Sequence, residues 1–161
     1  MKSCVQCKGS DLRDVKDTHD RSFLLAGGQA IPFRFDEVPQ TLCGTCGERY
    51  FAAGIGTAED NAVTRELLER QIRDPAVFKW FRRCAGLKAT ELAELLGVTA
   101  ETISHWENGH TQPSRAVWTI LDALVEDEIK GHTTTLDRLR APAESRIPKR
   151  PVRLSLKAAN G

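Results

Sequence analysis

Four of the five cysteines stand in two C-x-x-C pairs, Cys4-Val5-Gln6-Cys7 and Cys43-Gly44-Thr45-Cys46, with 35 residues between the pairs. Zinc takes four tetrahedral ligands, and thiolates suit it. A C-x-x-C turn brings two sulfurs to one side of a tight loop, and two such loops facing each other complete a site from Cys4, Cys7, Cys43 and Cys46. Thiolates at all four positions leave none open for water, so one zinc ion with a structural role is expected, not hydrolytic chemistry. A redox C-x-x-C is normally single and set in a βαβ pattern, which is absent here. Disulfides are disfavoured in a chain that reads as cytosolic. The fifth cysteine, Cys84, closes an aromatic-rich run with Phe78, Trp80 and Phe81 and reads as a buried small apolar residue. His19 reads as a loop histidine.

A second set of residues has the chemistry to read DNA. Glu101, Thr102, Ser104 and His105 are polar side chains of a short helix that can present them to the major groove. Glu101 can accept from cytosine N4, the Thr102 methyl can touch a thymine methyl, and His105 can donate to guanine N7 or to a phosphate. The set is poor in Arg, Asn and Gln. Lys79, Arg82, Arg83, Lys88 and Arg115 are the nearby cations for phosphate contacts.

Both sets need elements to hold them. Between the cysteine pairs, Asp11–Lys16, Ser22–Leu25 and Ala30–Phe35 alternate polar and apolar residues, as short strands do, and Gly27-Gly28 suits a hairpin turn. The reading is a zinc-ribbon-like β module over residues 1–56. A helix beginning at Thr57, with acidic residues in its first turn and Val63, Leu67, Leu68 and Ile72 on its core face, connects over 57–74, where Asp74-Pro75 ends or bends it. Residues 75–131 read as an all-α domain of four to five helices. Pro75–Cys84 is the first of them. Leu92, Leu95 and Leu96, then Gly97, then Thr99 as an N-cap, then Ile103 and Trp106, spell helix, tight turn and second helix. The last helix carries Val117, Trp118, Ile120, Leu121, Leu124 and Val125, more apolar positions than one small core needs, which suggests a homodimer through this domain. The fold class is therefore α+β.

Net charge is +1, so the chain is no polycation. The charge is unevenly placed. Residues 1–60 carry seven Lys/Arg against nine Asp/Glu, 61–131 carry nine against eleven, and 132–161 carry seven against two. Residues 132–161 read as a basic, flexible tail able to add phosphate contacts. No apolar run reaches membrane-spanning length, and MKSCVQCKGS lacks the apolar region of a secretory signal, so a cytoplasmic protein is expected. No nucleophile–base pair, phosphate-binding glycine loop or open metal site points to an enzyme.

Leu92-Ala93, Leu96-Gly97-Val98, Thr99, Ile103-Ser104, Trp106-Glu107, Gly109 and Pro113 resemble the helix-turn-helix of the phage-repressor (Xre) class. Joined to an N-terminal C-x-x-C module, they resemble the MqsA/YgiT family of antitoxin-regulators over about residues 1–130. The resemblance implies zinc on Cys4, Cys7, Cys43 and Cys46, base reading by motif position at Ala100, Glu101, Thr102, Ser104 and His105, and the family's base contacts at the places held by Glu101 and His105. It also implies a small toxin partner bound by the zinc module, a dimer on a palindromic double-stranded operator, and repression of the shared operon. The family's well-known member has Asn and Arg at those two base-contact places, so a different operator is expected. The alternative is a free-standing zinc-finger/helix-turn-helix transcriptional regulator without a toxin.

Overall fold

The structure, a computed structural model, describes residues 2–141. Three strands come first: β1 (Leu12–Leu24), β2 (Ala30–Cys43) and β3 (Arg49–Phe51). Six helices follow: α1 (Ile55–Glu69), α2 (Pro75–Cys84), α3 (Ala89–Leu96), α4 (Ala100–Glu107), α5 (Arg115–Lys130) and α6 (Thr134–Arg140). The α+β reading holds, with the sheet antiparallel in the order β1-β2-β3.

The three short strands expected are instead two long ones. β1 and β2 pair from Leu12↔Cys43 to Leu24↔Ala30, with one shift of register between Asp17 and His19. The polar stretch between the expected strands is carried by cross-strand ion pairs. Arg34 lies opposite Asp20 and reaches it with two hydrogen bonds of 2.8 and 2.9 Å. The turn is where Gly27-Gly28 placed it, closed by the Leu25 N–H on Gln29 O (2.8 Å).

One face of the hairpin's far half, with Phe23, Leu25, Ile31, Phe33 and Phe35, packs against the helical core. That core is built from Val63 and Leu67 of α1, Val77, Phe78 and Phe81 of α2, Leu92 of α3, Ile103 and Trp106 of α4, and Trp118, Leu121, Leu124 and Val125 of α5. Phe78 stands edge-to-face with both Trp106 (5.6 Å) and Trp118 (5.3 Å), a geometry favoured by aromatic quadrupoles. Phe23 meets Trp80 the same way (5.5 Å), and the Trp80 indole N–H is satisfied by Thr64 Oγ1 (2.9 Å).

Polar contacts complete the seam between hairpin and helices. His19 is a strand residue and not a loop histidine: its Nδ1 lies 2.7 Å from Glu59 Oε1, and Glu59 is buried. Arg21 bridges Glu59 (3.3 Å) and Asp60 (2.9 Å). α1 begins at Ile55, two residues before the expected start, so neither acidic residue serves its first turn; both face β1 instead. The helix stops at Glu69 and does not reach Ile72.

Two further differences concern the C-terminal side. α6 occupies residues read as the start of a tail. Its start is tied by the Thr135 N–H to Asp127 Oδ2 (2.6 Å), which holds the Asp127 carboxyl below the usual range, and Leu136 and Leu139 pack on the core. The surplus apolar positions of α5, Val117, Ile120 and Ile129, also pack on that core. The remainder of the basic tail, residues 142–161, lies outside the described residues.

Asp74 serves two segments. Its Oδ1 caps α2 by accepting from the Ala76 N–H (2.8 Å), and it accepts from the Ala26 N–H at the hairpin tip (3.0 Å). An Asp74→Ala variant should lose about 0.5–2 kcal/mol of stability, the range for a removed N-cap. Urea unfolding of the full chain measures this, and an unchanged midpoint would contradict it.

Candidate metal centre and nucleic-acid interface

The first cysteine pair sits before β1, the second at the end of β2 and the start of the turn into β3. Pairing of Leu12 with Cys43 brings them together. Each loop is closed by its own backbone. In the first, the Cys4 N–H donates to Gly9 O (2.9 Å) and the Lys8 N–H to Cys4 O (3.0 Å). In the second, the Gly47 N–H donates to Cys43 O and the Cys43 N–H to Glu48 O, both at 2.8 Å. The Gly44 N–H on Asp11 O (2.8 Å) ties the second loop to the segment after the first.

The four sulfurs of Cys4, Cys7, Cys43 and Cys46 lie within 4.8 Å of one another. Cys4–Cys46 and Cys7–Cys43 are each 3.6 Å apart. A zinc ion with bonds of about 2.3 Å to four tetrahedral sulfurs requires edges of roughly 3.8 Å. The donors therefore fit one structural zinc, and none of the cysteines is in a disulfide. One sulfur of each pair is buried (Cys4, Cys43) and one is exposed (Cys7, Cys46).

Tyr50, the only tyrosine, was not singled out from the sequence. Its hydroxyl lies 3.0 Å from Cys4 Sγ and accepts from the Val5 N–H (3.1 Å). The available signal was its position four residues after Cys46, on the strand returning past the first loop. Hydrogen bonding from Tyr50, aided by the Cys7 N–H, draws the Cys4 thiol down to about 6. The Cys46 N–H, chief among several contacts, lowers Cys43. At Cys46 the Glu48 N–H pulls down, but the neighbouring Cys7 sulfur, burial and the other two thiols outweigh it and push the group up to about 12. Two thiols of the four, Cys4 and Cys43, are drawn down and two, Cys7 and Cys46, are pushed up, as expected where negative charge accumulates around one point. A divalent cation removes that conflict.

The second site is the outer face of α4. α3 ends at Gly97 with φ 66°, a left-handed turn that suits glycine, and Thr99 Oγ1 then accepts from the Thr102 N–H (3.1 Å). Ile103 and Trp106 are buried and fix which face looks outward. Ala100, Glu101 and Ser104 are exposed, and Thr102 and His105 are partly exposed. The Glu101 and His105 side chains are 80% and 46% accessible, with Nε2 and Oε1 3.8 Å apart. The other hydroxyls are engaged locally. Thr102 Oγ1 is 2.9 Å from Thr99 Oγ1, and the Asn108 amide folds back onto Ser104 O (2.8 Å) and Oγ (3.2 Å). Glu101 and His105 are thus the polar groups on this face without a short local hydrogen bond.

Among the cations, Arg82 requires a correction. It is buried at 8% exposure, with Nε donating to Glu107 Oε1 (2.5 Å) and Nη1 to Leu87 O (2.7 Å). Its guanidinium holds the end of α4 against α2 and is not offered to a phosphate. Arg83, Lys88 and Arg115 are exposed and Lys79 is partly so. Cys84 is partly buried beside Thr64 Oγ1 (3.5 Å), with its thiol pushed up by burial.

A family model described as the antitoxin component of a bacterial toxin-antitoxin system, MqsA, matches residues 1–140. No curated protein matches the chain. Among the described residues, no helix is long and apolar enough to cross a membrane.

Two outcomes follow from these geometries. Because the raised Cys46 thiol must give up its proton to bind a metal, zinc uptake should release protons and zinc affinity should fall steadily from about pH 8 to pH 6. Competition with a chromophoric chelator reads this, and a flat profile would contradict it. Arg82→Ala should cost about 3–5 kcal/mol in chemical unfolding, because it strands the buried Glu107 carboxylate. A loss below about 1 kcal/mol, the range of a surface pair, would show that the pair is not the clamp described.

Proposed function

Since the chain belongs to the MqsA antitoxin family, we propose that it is a sequence-specific DNA-binding repressor that neutralises a small toxin and regulates its own operon. The observation that carries the DNA half of this reading is α4. It is a short helix, N-capped by Thr99 and clamped at its far end by Arg82 on Glu107, with Glu101 and His105 turned outward. A helix-turn-helix presents its second helix to the major groove in this manner. Glu101 accepts from a cytosine N4 amine, and His105 donates to guanine N7. Arg83, Lys88, Arg115 and Lys79 are the cations for backbone phosphates. Ala100 and the Thr102 methyl contribute shape and apolar contact, and the Ser104 hydroxyl, which accepts from Asn108, keeps its O–H to donate to a base edge.

The antitoxin half rests on family membership. The zinc module is the surface for the toxin, as the family resemblance implies, and the zinc end of the hairpin lies away from the half that packs on the helices. Zinc has a structural role, and the chain carries no catalysis of its own. A homodimer on a palindromic operator follows from how this class of motif reads DNA. Val117, Ile120 and Ile129 of α5 pack on the core yet stay partly exposed, and they remain the candidate surface for that dimer.

The experiment for the whole reading is to express the reading frame adjacent to this gene, alone and together with this chain, and to follow growth. Toxicity alone, rescue on co-expression and a copurifying complex are expected. No toxicity and no complex would leave a free-standing regulator. For the DNA half, His105→Ala should relax base preference at one position of each half-site by about 1–3 kcal/mol. Site selection from a random duplex pool reads this, and an unchanged profile would mean that another face of α4 meets the groove.

A further inference from the structure

The outer face of α4 is electrostatically poor for a nucleic acid. Glu101 can only accept, and its charge opposes phosphates. Thr102 Oγ1 lies 2.9 Å from Thr99 Oγ1, and Ser104 Oγ accepts from the Asn108 amide (3.2 Å). Besides those small hydroxyls, the donor that this face offers is the His105 imidazole. The structure sets a second donor beside it. After α4 the chain folds back, with the His110 N–H on His105 O (2.9 Å). The two imidazoles meet edge-to-face, with centroids 5.5 Å apart at 87°. His110 is exposed. In sequence it falls past the end of the helix, in a segment with no apolar or charged pattern to mark it.

We propose that His110 contacts DNA, donating from its imidazole to a backbone phosphate oxygen that flanks the base read by His105. This rests on the DNA-binding reading of α4. A recognition helix reads base edges with its N-terminal residues. A group beyond its C-terminal end therefore stands at the outer edge of the footprint, where the sugar-phosphate chain runs. Phosphate contacts of this kind set register and orientation without carrying sequence information. His110 also packs its ring against His105, so the same contact that anchors the helix limits the tilt of the base-reading imidazole.

The test uses the full chain loaded with zinc and a duplex selected by the wild type from a random pool. His110→Ala should lose about tenfold in affinity on every duplex, with base preference unchanged, a loss in keeping with one hydrogen bond to a charged group. His110→Gln keeps an N–H donor and should lose less. In wild type, replacing single phosphates by neutral methylphosphonates should expose one position per half-site whose neutralisation costs about the same factor. The cost should vanish in His110→Ala. Equal affinity of wild type and His110→Ala would overturn the proposal. So would a changed base preference without coupling to any phosphate. If the wild type retains no duplex from the pool, the DNA-binding reading itself fails, which is a different result from a wild type that binds while His110→Ala matches it.

Discussion

A two-stranded ribbon cannot bury a core by itself. That constraint governs the N-terminal half of this chain. β1 and β2 run 13 and 14 residues with one apolar face and little else to cover it. The ribbon is held at both ends by different physics. At one end, four thiols gather where Leu12 pairs with Cys43. At the other, Phe23, Ile31, Phe33 and Phe35 lie on the helical core. Metal ligation substitutes for apolar burial where there are too few residues to make a core, as in other small zinc modules.

The helical half depends on a tighter arrangement. Trp106 and Glu107 are adjacent at the end of α4, and both are held by α2. Trp106 meets Phe78 within the core, and Glu107 meets Arg82 at its margin. One contact is apolar and the other ionic, and between them they fix the rotation of α4 about its axis and its distance from α2. That rotation decides whether Glu101 and His105 face outward. The pairing of a core aromatic with a buried ion pair is why a helix of only eight residues can present side chains reproducibly.

Much of this was legible in the sequence because it depends on local rules. The C-x-x-C pairs, the Gly97 turn, the Thr99 cap and the bounds of α2 are each set by a few adjacent residues. What escaped notice depends on residues distant in the chain. Arg82 reads as a surface cation until Glu107, 25 positions away, is seen to lie against it. His19 reads as a loop residue until Glu59 is placed across from it. The polar centre of the hairpin reads as a break between strands because pairing of Arg34 with Asp20 is a matter of register, not composition. Tyr50 and His110 escaped for the same reason, and α6 because a seven-residue helix owes its existence to a docking contact with Asp127 more than to its own pattern.

The shift of register between Asp17 and His19 divides the ribbon into two lengths. A bulge bends a strand and adds local twist, and Glu37 on the facing strand takes up a left-handed conformation nearby (φ 54°). The tip length is fastened to the helices by its aromatic face and by Asp74, while the zinc length extends beyond the fastening. The direction in which the zinc length leaves the helices is therefore set by the bulge, just past the point where His19 and Arg21 fasten β1 to Glu59 and Asp60 of α1.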